Sequence, residues 1–266
     1  MSRPVQLSVV IITFNEEHNL PRCLASLGDV ADDLLVLDSH STDRTRDIAT
    51  AHGARIAVQP FLGYVAQKNR ATQLARYDHV LQLDADEALT EGLRQEIQRL
   101  KASWHHAAYS IPRLTSYCGH WVRHGGWYPD RQTRLYDRRL GAWQGQLLHE
   151  HYDVAPGQTT GLLHADLLHY SYASISDHVR QLDRFTTLAA EQLHRRGQQP
   201  TWFRLLLKPW WKFIHGYFIL LGFLDGFAGL SIAVLSAVGV FLKYAKLRAL
   251  PHPASAPAST SGSPAT

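Results

Sequence analysis

Short apolar runs alternate with amphipathic stretches along the first hundred residues. Runs rich in Val, Ile and Leu predict β-strands, and apolar residues recurring every three or four positions predict helices between them. The predicted strands are 7–13, 34–37, 55–58 and 79–83. The predicted helices are 20–27, one capped by Ser41, Thr42 and Asp43 and ended by Gly53, then 64–74 and 90–101. This order predicts an α/β fold with a mainly parallel sheet flanked by helices.

Three predicted strands end in polar residues. Phe14-Asn15-Glu16 follows the first, Asp38-Ser39 the second and Asp84-Ala85-Asp86 the fourth. One such ending is typical of an ordinary turn, but open parallel sheets bind ligands at the carboxyl ends of their strands, so three together predict a ligand site. Carboxylates at i and i+2 can share one hard cation, and the cation can hold a diphosphate. The hypothesis is a nucleotide-sugar transferase.

The pattern changes at about residue 107 to short strands, turns and many aromatic residues. We expect 107–172 to form the acceptor side of a cleft, because aromatic and Arg side chains suit sugars and phosphates. Packing in a core is the alternative for each aromatic residue. The residues concerned are Tyr109, Tyr117, Trp121, Trp127, Tyr128, Tyr136 and Trp143.

The last third, 173–250, is predicted to be helical and membrane-associated. Ser174 to Asp177 resembles a capping box before a helix that ends near Gly197, and Trp202 to Phe213 mixes bulky apolar residues with cations. The uncharged run 226–242 is at the lower limit of about 17–25 residues for a spanning helix. A hairpin in one leaflet, a true span and a buried helical pair all remain open. The tail 251–266, rich in Pro, Ala and Ser, is expected to be disordered.

Composition and charge narrow the possible classes of protein and of partner. The chain has 266 residues, 45% of them hydrophobic, which is enough for a substantial core. Two cysteines give no disulfide framework and no signal peptide is recognisable, so we expect the catalytic part to face a reducing cytoplasm. The formal net charge is +4, and between Trp202 and Arg248 the only carboxylate is Asp225. Cations beside Trp and Phe favour an anionic membrane, and no nucleic acid partner is expected.

Three motifs carry a family resemblance. VVIITFNEE at 9–17, LDSHSTD at 37–43 and LDADE at 83–87 resemble family 2 glycosyltransferases with the GT-A fold. GWYPDRQTRLY at 126–136, LHE at 148–150 and LHYSY at 168–172 resemble the branch that contains bacterial lipopolysaccharide core glucosyltransferases. The resemblance implies a nucleotide-sugar-binding half at 1–106 and an acceptor half at 107–172.

The resemblance also implies donor-binding residues. Phe14 would stack on the nucleobase, and Asp38 would accept a hydrogen bond from base or ribose. The donor-side set is Thr13, Phe14, Asn15, Glu16, Asp38, Ser39, Gln67, Lys68, Asp84 and Arg134. Arg131, Gln132 and Arg134 contact phosphate or, alternatively, form structural ion pairs.

A divalent cation, Mg²⁺ or Mn²⁺, is implied as cofactor, with Asp84, Asp86 and His169 as its candidate ligands. Inversion at the sugar carbon needs a general base. Many relatives use a carboxylate near the middle of the chain, so Glu150 is the first candidate and Asp130 the second. Relatives often have Glu-Asp where this chain has His149-Glu150, so both candidates are kept.

The expected reaction moves a hexose, with UDP-glucose as the donor, to a glycolipid, the lipopolysaccharide inner core. Polyprenyl phosphate or another envelope glycan is the alternative acceptor, and a non-catalytic nucleotide-binding membrane adaptor is the alternative class. A zinc hydrolase is disfavoured, because His149-Glu150-His151 lacks the His-Glu-x-x-His spacing. The expected location is the cytoplasmic face of the bacterial inner membrane, peripheral or monotopic, with a spanning helix left open.

Overall fold

A computed structural model describes residues 4–145 and 150–251. Its centre is a ten-stranded sheet in which strands run in the order β3-β2-β1-β4-β8-β6-β12-β5, with β7 and β11 also paired to β6. A separate two-stranded sheet joins β9 and β10. The strands are β1 Leu7–Thr13, β2 Asp33–Asp38, β3 Arg55–Val58, β4 His79–Asp84, β5 Glu87–Leu89, β6 Ala108–Tyr117, β7 His120–Val122, β8 Asp130–Asp137, β9 Gly141–Gln144, β10 His151–Val154, β11 Thr160–Leu162 and β12 Leu167–Tyr172.

The first four strands are parallel and are covered by helices on both faces. Successive side chains of a strand point to opposite faces, so Val9 and Ile11 of β1 pack in one apolar layer while Val10 packs in the other. The covering helices are α1 Leu20–Ser26, α2 Thr45–Ala51, α3 Tyr64–Leu74 and α4 Glu91–Ala102. The near-continuous apolar character of these strands follows from this double burial.

The second half extends the same sheet with mixed direction. β8 lies antiparallel between β4 and β6, and β12 runs parallel to β6. Within the described part of the sheet, five strand pairings are parallel and four antiparallel. The predicted α/β fold with a mainly parallel sheet and flanking helices is confirmed, with the antiparallel share contributed by the second half.

Most of the aromatic residues of this half belong to the core. The side chains of Tyr109, Tyr117, Tyr136 and Trp143 are buried, and the Tyr136 ring stacks on Tyr152 at 3.9 Å between ring centroids. Burial raises the pKa of Tyr136 to about 12. Trp127 differs, because its side chain is only partly buried and lines a pocket described below.

Three long helices follow the sheet. They are α5 Ile175–Arg195, α6 Trp202–Ile214 and α7 Gly226–Ala249, with a π-helix at His215–Ile219 and a 3-10 helix at Gly222–Asp225 before α7. The predicted capping box is confirmed: Ser174 Oγ accepts from the Asp177 N–H, and the Asp177 carboxylate accepts from the Ser174 N–H at 2.8 Å.

α6 and α7 form an antiparallel pair, here called the C-terminal hairpin. The Arg248 guanidinium lies over the Trp202 ring at 4.5 Å, and Lys208 Nζ is 3.4 Å from the Tyr244 hydroxyl. The outward apolar side chains remain exposed, among them Trp210 at 65% and Phe227 at 73%, so the pair is not a buried helical core. Among the described residues, Gly222–Ala249 is the one helical stretch long and apolar enough to cross a membrane by length and composition. Of the expected disordered tail 251–266, residues 252–266 lie outside the described residues.

Asp225 attaches this hairpin to the sheet domain. Its buried carboxylate accepts hydrogen bonds from the backbone N–H of Arg123 at 3.1 Å and of His124 at 2.8 Å, and His124 Nδ1 is 3.0 Å away. The N–H of Gly125 donates to the carbonyl of Leu220 at 2.8 Å. The bent end of the hairpin is therefore held by the loop that leads from β7 to β8.

Candidate active site

The three polar strand ends meet at one edge of the sheet. Strand register pairs Thr13 of β1 with Asp38 of β2, and Ile12 with Asp84 of β4. The convergence predicted from the sequence is confirmed. It follows from parallel pairing, which brings the carboxyl ends of neighbouring strands side by side.

At the β1 and β2 ends, most of the predicted polar residues bind one another. Thr13 Oγ1 donates to Asp38 Oδ1 at 3.2 Å, and Asp38 Oδ2 accepts the Ser41 N–H at 2.8 Å. Gln67 Nε2 donates to Ser39 Oγ at 2.8 Å. These contacts fix the side chains at the two strand ends, because each buried polar group has a protein partner.

Asn15 and Phe14 have different positions at this edge. Asn15 adopts a positive φ of 55°, and its side-chain Oδ1 accepts the Thr42 N–H at 2.8 Å, which ties the two strand-end loops together. Phe14 is 58% exposed. Its ring is therefore available for stacking against a planar group, whereas Asn15 organises the loop.

Glu16 lies near the carboxylates of the β4 end. Burial raises the pKa of Glu16, and the negative charges of Asp86, Asp43 and Asp84 raise it further against a lowering hydrogen bond from Asn19. Glu16, Asp84 and Asp86 therefore bring carboxylates together at the edge between β1 and β4.

Arg134 connects the two halves of the sheet. Its side chain is 2% exposed, and its Nη2 donates to Asp84 Oδ2 at 2.6 Å and to Glu87 Oε1 at 2.7 Å. Arg113 continues the chain of charges, with its guanidinium 3.3 Å from Glu87 and 2.5 Å from Asp130. Arg134 thus has the structural ion pairs that the sequence left as one of its two alternatives.

The charges in this network shift the pKa of Asp84 and of Arg134. Burial alone would raise the pKa of Asp84, but Arg134, Lys68 and Arg113 together outweigh it and hold that pKa well below its usual range. Burial of Arg134 opposes its charge, but Asp84 and Glu87 raise its pKa above the usual value. Asp84 is therefore an anion fixed between cations.

Lys68 joins the β4 end of the strand-end edge to Glu150. Its buried Nζ lies 3.3 Å from Glu150 Oε1 and 3.7 Å from Asp84 Oδ1, and 4.6 Å from the centroid of the Trp143 ring. α3 supplies Lys68, and Glu150 follows the undescribed residues 146–149. His149, the neighbour of Glu150 in the sequence motif, lies outside the described residues.

Asp86 faces His169. His169 Nε2 is 3.2 Å from Asp86 Oδ2, and its Nδ1 is 3.4 Å from Thr115 Oγ1. β12 places His169 beside Glu87 of β5 and Thr115 of β6. Within the described residues, no group of three or more His, Cys, Asp or Glu side chains has the arrangement of a preformed metal site.

A polar pocket of about 390 Å³ opens beside His169. Asp130 is on its wall, but Oδ2 of Asp130 accepts from Arg113 at 2.9 Å and its Oδ1 accepts from Gln132 Nε2 at 2.7 Å. The pocket is lined by Arg113, Thr115, Gly126, Trp127, Pro129, Asp130, Arg131, His169, Ser171 and Tyr172. Arginine, hydroxyl and aromatic groups in one pocket suit a charged sugar.

The predicted site residues therefore form two neighbouring groups. Thr13, Asn15, Asp38, Ser39 and Gln67 organise the β1 and β2 ends, while the remaining polar residues meet around β4, β8 and β12. Sequence reasoning missed Glu87 and Arg113 as members of the network. Glu87 could have been found, because it is a charged residue directly before the apolar pair Ala88-Leu89. Arg113 has no local sequence signal, because its role depends on strand pairing.

The sequence matches the family described as Glycosyl transferase family 2 over residues 8–157, more than half of the chain. The chain belongs to this family, is a glycosyltransferase and has the GT-A fold.

Individual relatives agree with this assignment. The chain is similar to an uncharacterised glycosyltransferase of Rickettsia typhi, with 33% identity over 92% of this chain and 87% of the relative. It is 28% identical to LpsC, a lipopolysaccharide core biosynthesis glycosyltransferase of Rhizobium meliloti, over 92% of this chain and 95% of LpsC. Among solved structures, S. aureus TarS 1–349 in complex with UDP has a TM-score of 0.47 at 17% identity, covering 92% of this chain and 90% of TarS.

Proposed function

We propose that this glycosyltransferase is an inverting, metal-dependent hexosyltransferase that uses UDP-glucose and a membrane glycolipid, the lipopolysaccharide inner core. One observation carries the proposal: His169 touches Asp86 at the strand-end edge and also lines the polar pocket. A donor at the edge and an acceptor in the pocket would meet at this residue. The similarity to LpsC over nearly the whole chain supports a lipopolysaccharide acceptor.

The donor would lie along the ends of β1, β2 and β4. Phe14 would stack on the nucleobase, and the groups around Asp38 and Gln67 would border the ribose. The diphosphate would then reach Asp86. This direction agrees with the general position of ligands in open parallel sheets.

The donor set at Asp86 fits a divalent cation. The Asp86 carboxylate and His169 Nε2 are 3.2 Å apart and both partly exposed, and Glu16 and Asp84 add negative charge nearby. Mg²⁺ and Mn²⁺ accept such sparse protein ligation when phosphate oxygens complete it, and the cation then stabilises the leaving diphosphate. We assign Asp86 and His169 as direct ligands; Asp84, bound by Arg134 and Lys68, would act through its charge or after releasing Arg134.

Glu150 would act as the general base. Among its described contacts only Oε1 is engaged, by Lys68, whereas both oxygens of Asp130 are bound. The proton of the acceptor hydroxyl passes to the Glu150 carboxylate as the hydroxyl oxygen bonds to the anomeric carbon. The bond from that carbon to the diphosphate breaks, and the nucleoside diphosphate leaves.

A screen of nucleotide-sugars for metal-dependent transfer tests the activity. We expect Asp86→Ala to abolish transfer without unfolding the protein, and Asp29→Ala, an exposed carboxylate that precedes β2 at the opposite edge of the sheet, to leave it unchanged. Near-normal transfer by the Asp86 variant would refute metal-dependent catalysis. Truncated core glycolipid in a deletion strain supports the inner-core acceptor; accumulation of an unmodified polyprenyl phosphate supports the alternative.

A second comparison tests the base. We expect Glu150→Gln to lower kcat by about 10²–10⁴-fold with donor affinity nearly unchanged. Asp130→Asn serves as the matched carboxylate control and should affect acceptor KM more than kcat. The reverse ranking of the two variants would transfer the base role to Asp130.

The C-terminal hairpin would attach the enzyme to the cytoplasmic face of the bacterial inner membrane. Its exposed Trp and Phe side chains beside lysines are typical of the membrane interface. Asp225 holds the bent end of the hairpin on the loop before β8, and Gly126 and Trp127 of that loop line the polar pocket. The pocket would therefore be near the membrane surface from which a glycolipid arrives.

A further inference from the structure

A groove lies between α6 and α7. It encloses about 290 Å³ and is separate from the polar pocket. Its lining combines basic and aromatic side chains: Lys208, Trp211, Lys212, His215, Val240, Lys243 and Tyr244. The catalytic proposal uses none of these residues.

The three lysines converge from both helices. Lys208 and Lys212 are four residues apart on α6 and share a face, while Lys243 comes from α7. Lys208 Nζ is 5.6 Å and Lys243 Nζ 4.9 Å from the centroid of the buried Tyr244 ring. The same ring therefore lies within 5.6 Å of one ammonium group from each helix.

Within the part of the chain that the structure describes, no carboxylate balances these lysines. In the described ranges 4–145 and 150–251, none of the three lysines has a carboxylate within 4.0 Å. Lys246, one turn along α7, does have one, with Asp183 at 2.6 Å. The sole carboxylate of the hairpin, Asp225, is bound by the loop at Arg123 and His124. Like charges that line one groove repel each other, so an anion from outside would stabilise the groove.

The surroundings indicate which anion. The outward faces of the same two helices expose large apolar side chains, including Phe203 at 62%. A surface that pairs exposed Trp and Phe with a cationic groove matches a lipid, whose acyl chains are apolar and whose headgroup carries phosphate. A free phosphate ion would make no use of the apolar faces.

We propose that the groove between α6 and α7 binds the phosphate of an anionic phospholipid, with Lys208, Lys212 and Lys243 as its ligands. The site is independent of the transferase reaction. Occupancy would hold the two helices together at the membrane surface by replacing repulsion between lysines with attraction to one phosphate.

Vesicle binding by the full chain tests the site. We compare Lys212→Gln/Lys243→Gln with Arg204→Gln/Arg248→Gln, which removes the same charge from the same hairpin outside the groove. General attraction to an anionic surface contributes about fivefold to vesicle affinity per cation. Loss of this attraction alone should lower the affinity of both variants about 25-fold on vesicles of phosphatidylcholine with phosphatidylglycerol. The groove variant should lose at least about tenfold more. The proposal would be overturned if the two variants lost equal affinity. It would also be overturned if the wild type bound vesicles of pure phosphatidylcholine as tightly as the anionic vesicles.

Two further measurements identify the source of the phosphate and control for folding. Native mass spectrometry of wild-type protein should show one retained phosphatidylglycerol, absent from the groove variant and kept by Lys212→Arg/Lys243→Arg. Retention of the acceptor glycolipid in place of phosphatidylglycerol would refute a phospholipid site. Release of the protein from the vesicles by millimolar inorganic phosphate would also refute it. Because the arginine variant preserves charge, its failure to bind would also count against the proposal if its thermal midpoint is unchanged.

Discussion

Replacing Arg134 by Met tests whether the buried network stabilises the sheet. Met fills a similar volume without charge, so the change removes the main counter-charge of Asp84 and of the fully buried Glu87. Removing one partner of a buried ion pair costs about 3–5 kcal/mol. Against a typical total of about 5–15 kcal/mol, this loss would be a large part of the free energy of unfolding.

The loss should depend on pH in a defined direction. In the wild type, Asp84 has a lowered pKa, so its stabilising contribution is present above the unfolded value of about 3.9 and is lost as pH falls through the folded value. Without Arg134, the largest influence that lowers the pKa of Asp84 is gone, so this pKa is higher in the folded variant than in the wild type. Between the two folded values, the deficit of the variant grows with pH by up to about 1.4 kcal/mol per unit.

Urea unfolding in detergent between pH 4 and pH 7, followed by tryptophan fluorescence, measures this deficit. Arg195→Met is the control, since Arg195 pairs with Glu191 at an exposed surface and should cost less than about 1 kcal/mol. Adding Glu87→Gln to Arg134→Met should recover part of the loss, because it removes one unpaired buried charge. A deficit below 1 kcal/mol, or one that shrinks as pH rises, would refute the electrostatic reasoning.

Two further predictions concern the hairpin and the thiols. Asp225→Ala leaves the N–H groups of Arg123 and His124 without their acceptor, so we expect a loss of about 2–5 kcal/mol and faster proteolysis at the bent end of the hairpin; unchanged proteolysis would show that Asp225 does not attach it. Cys118 is exposed, whereas Cys23 is buried and its pKa is raised by burial and by Glu87. A thiol reagent should therefore modify Cys118 at least about a hundredfold faster than Cys23. Equal rates for the two thiols would contradict the burial of Cys23.

Local patterns were sufficient to predict the first, mainly parallel half of the fold. β1 and β3 have the predicted bounds, because continuous apolar runs bounded by polar turns define buried parallel strands. The convergence of Asp38 and Asp84 followed from strand direction alone. Each of these features depends on residues close together in sequence or on a general rule of parallel sheets.

The buried ion-pair network was harder to predict from the sequence. Arg134 reaches Asp84 across fifty positions because β8 enters the sheet antiparallel between β4 and β6, and no local signal specifies that neighbour. The length and hydropathy of the C-terminal hairpin likewise did not distinguish a spanning helix, a hairpin in one leaflet and a buried helical pair. Its return depends on the contacts of Asp225 with a loop about a hundred residues earlier.

The path of β8 has a consequence for recombining glycosyltransferases. A chimera joined near residue 106 would take Asp84 and Glu87 from one parent and Arg134 from the other, although Arg134 forms ion pairs with both carboxylates. The segments before and after that junction therefore cannot be exchanged independently unless the other parent supplies a matching arginine. The practical unit of exchange is the whole sheet, with its buried charges inherited together.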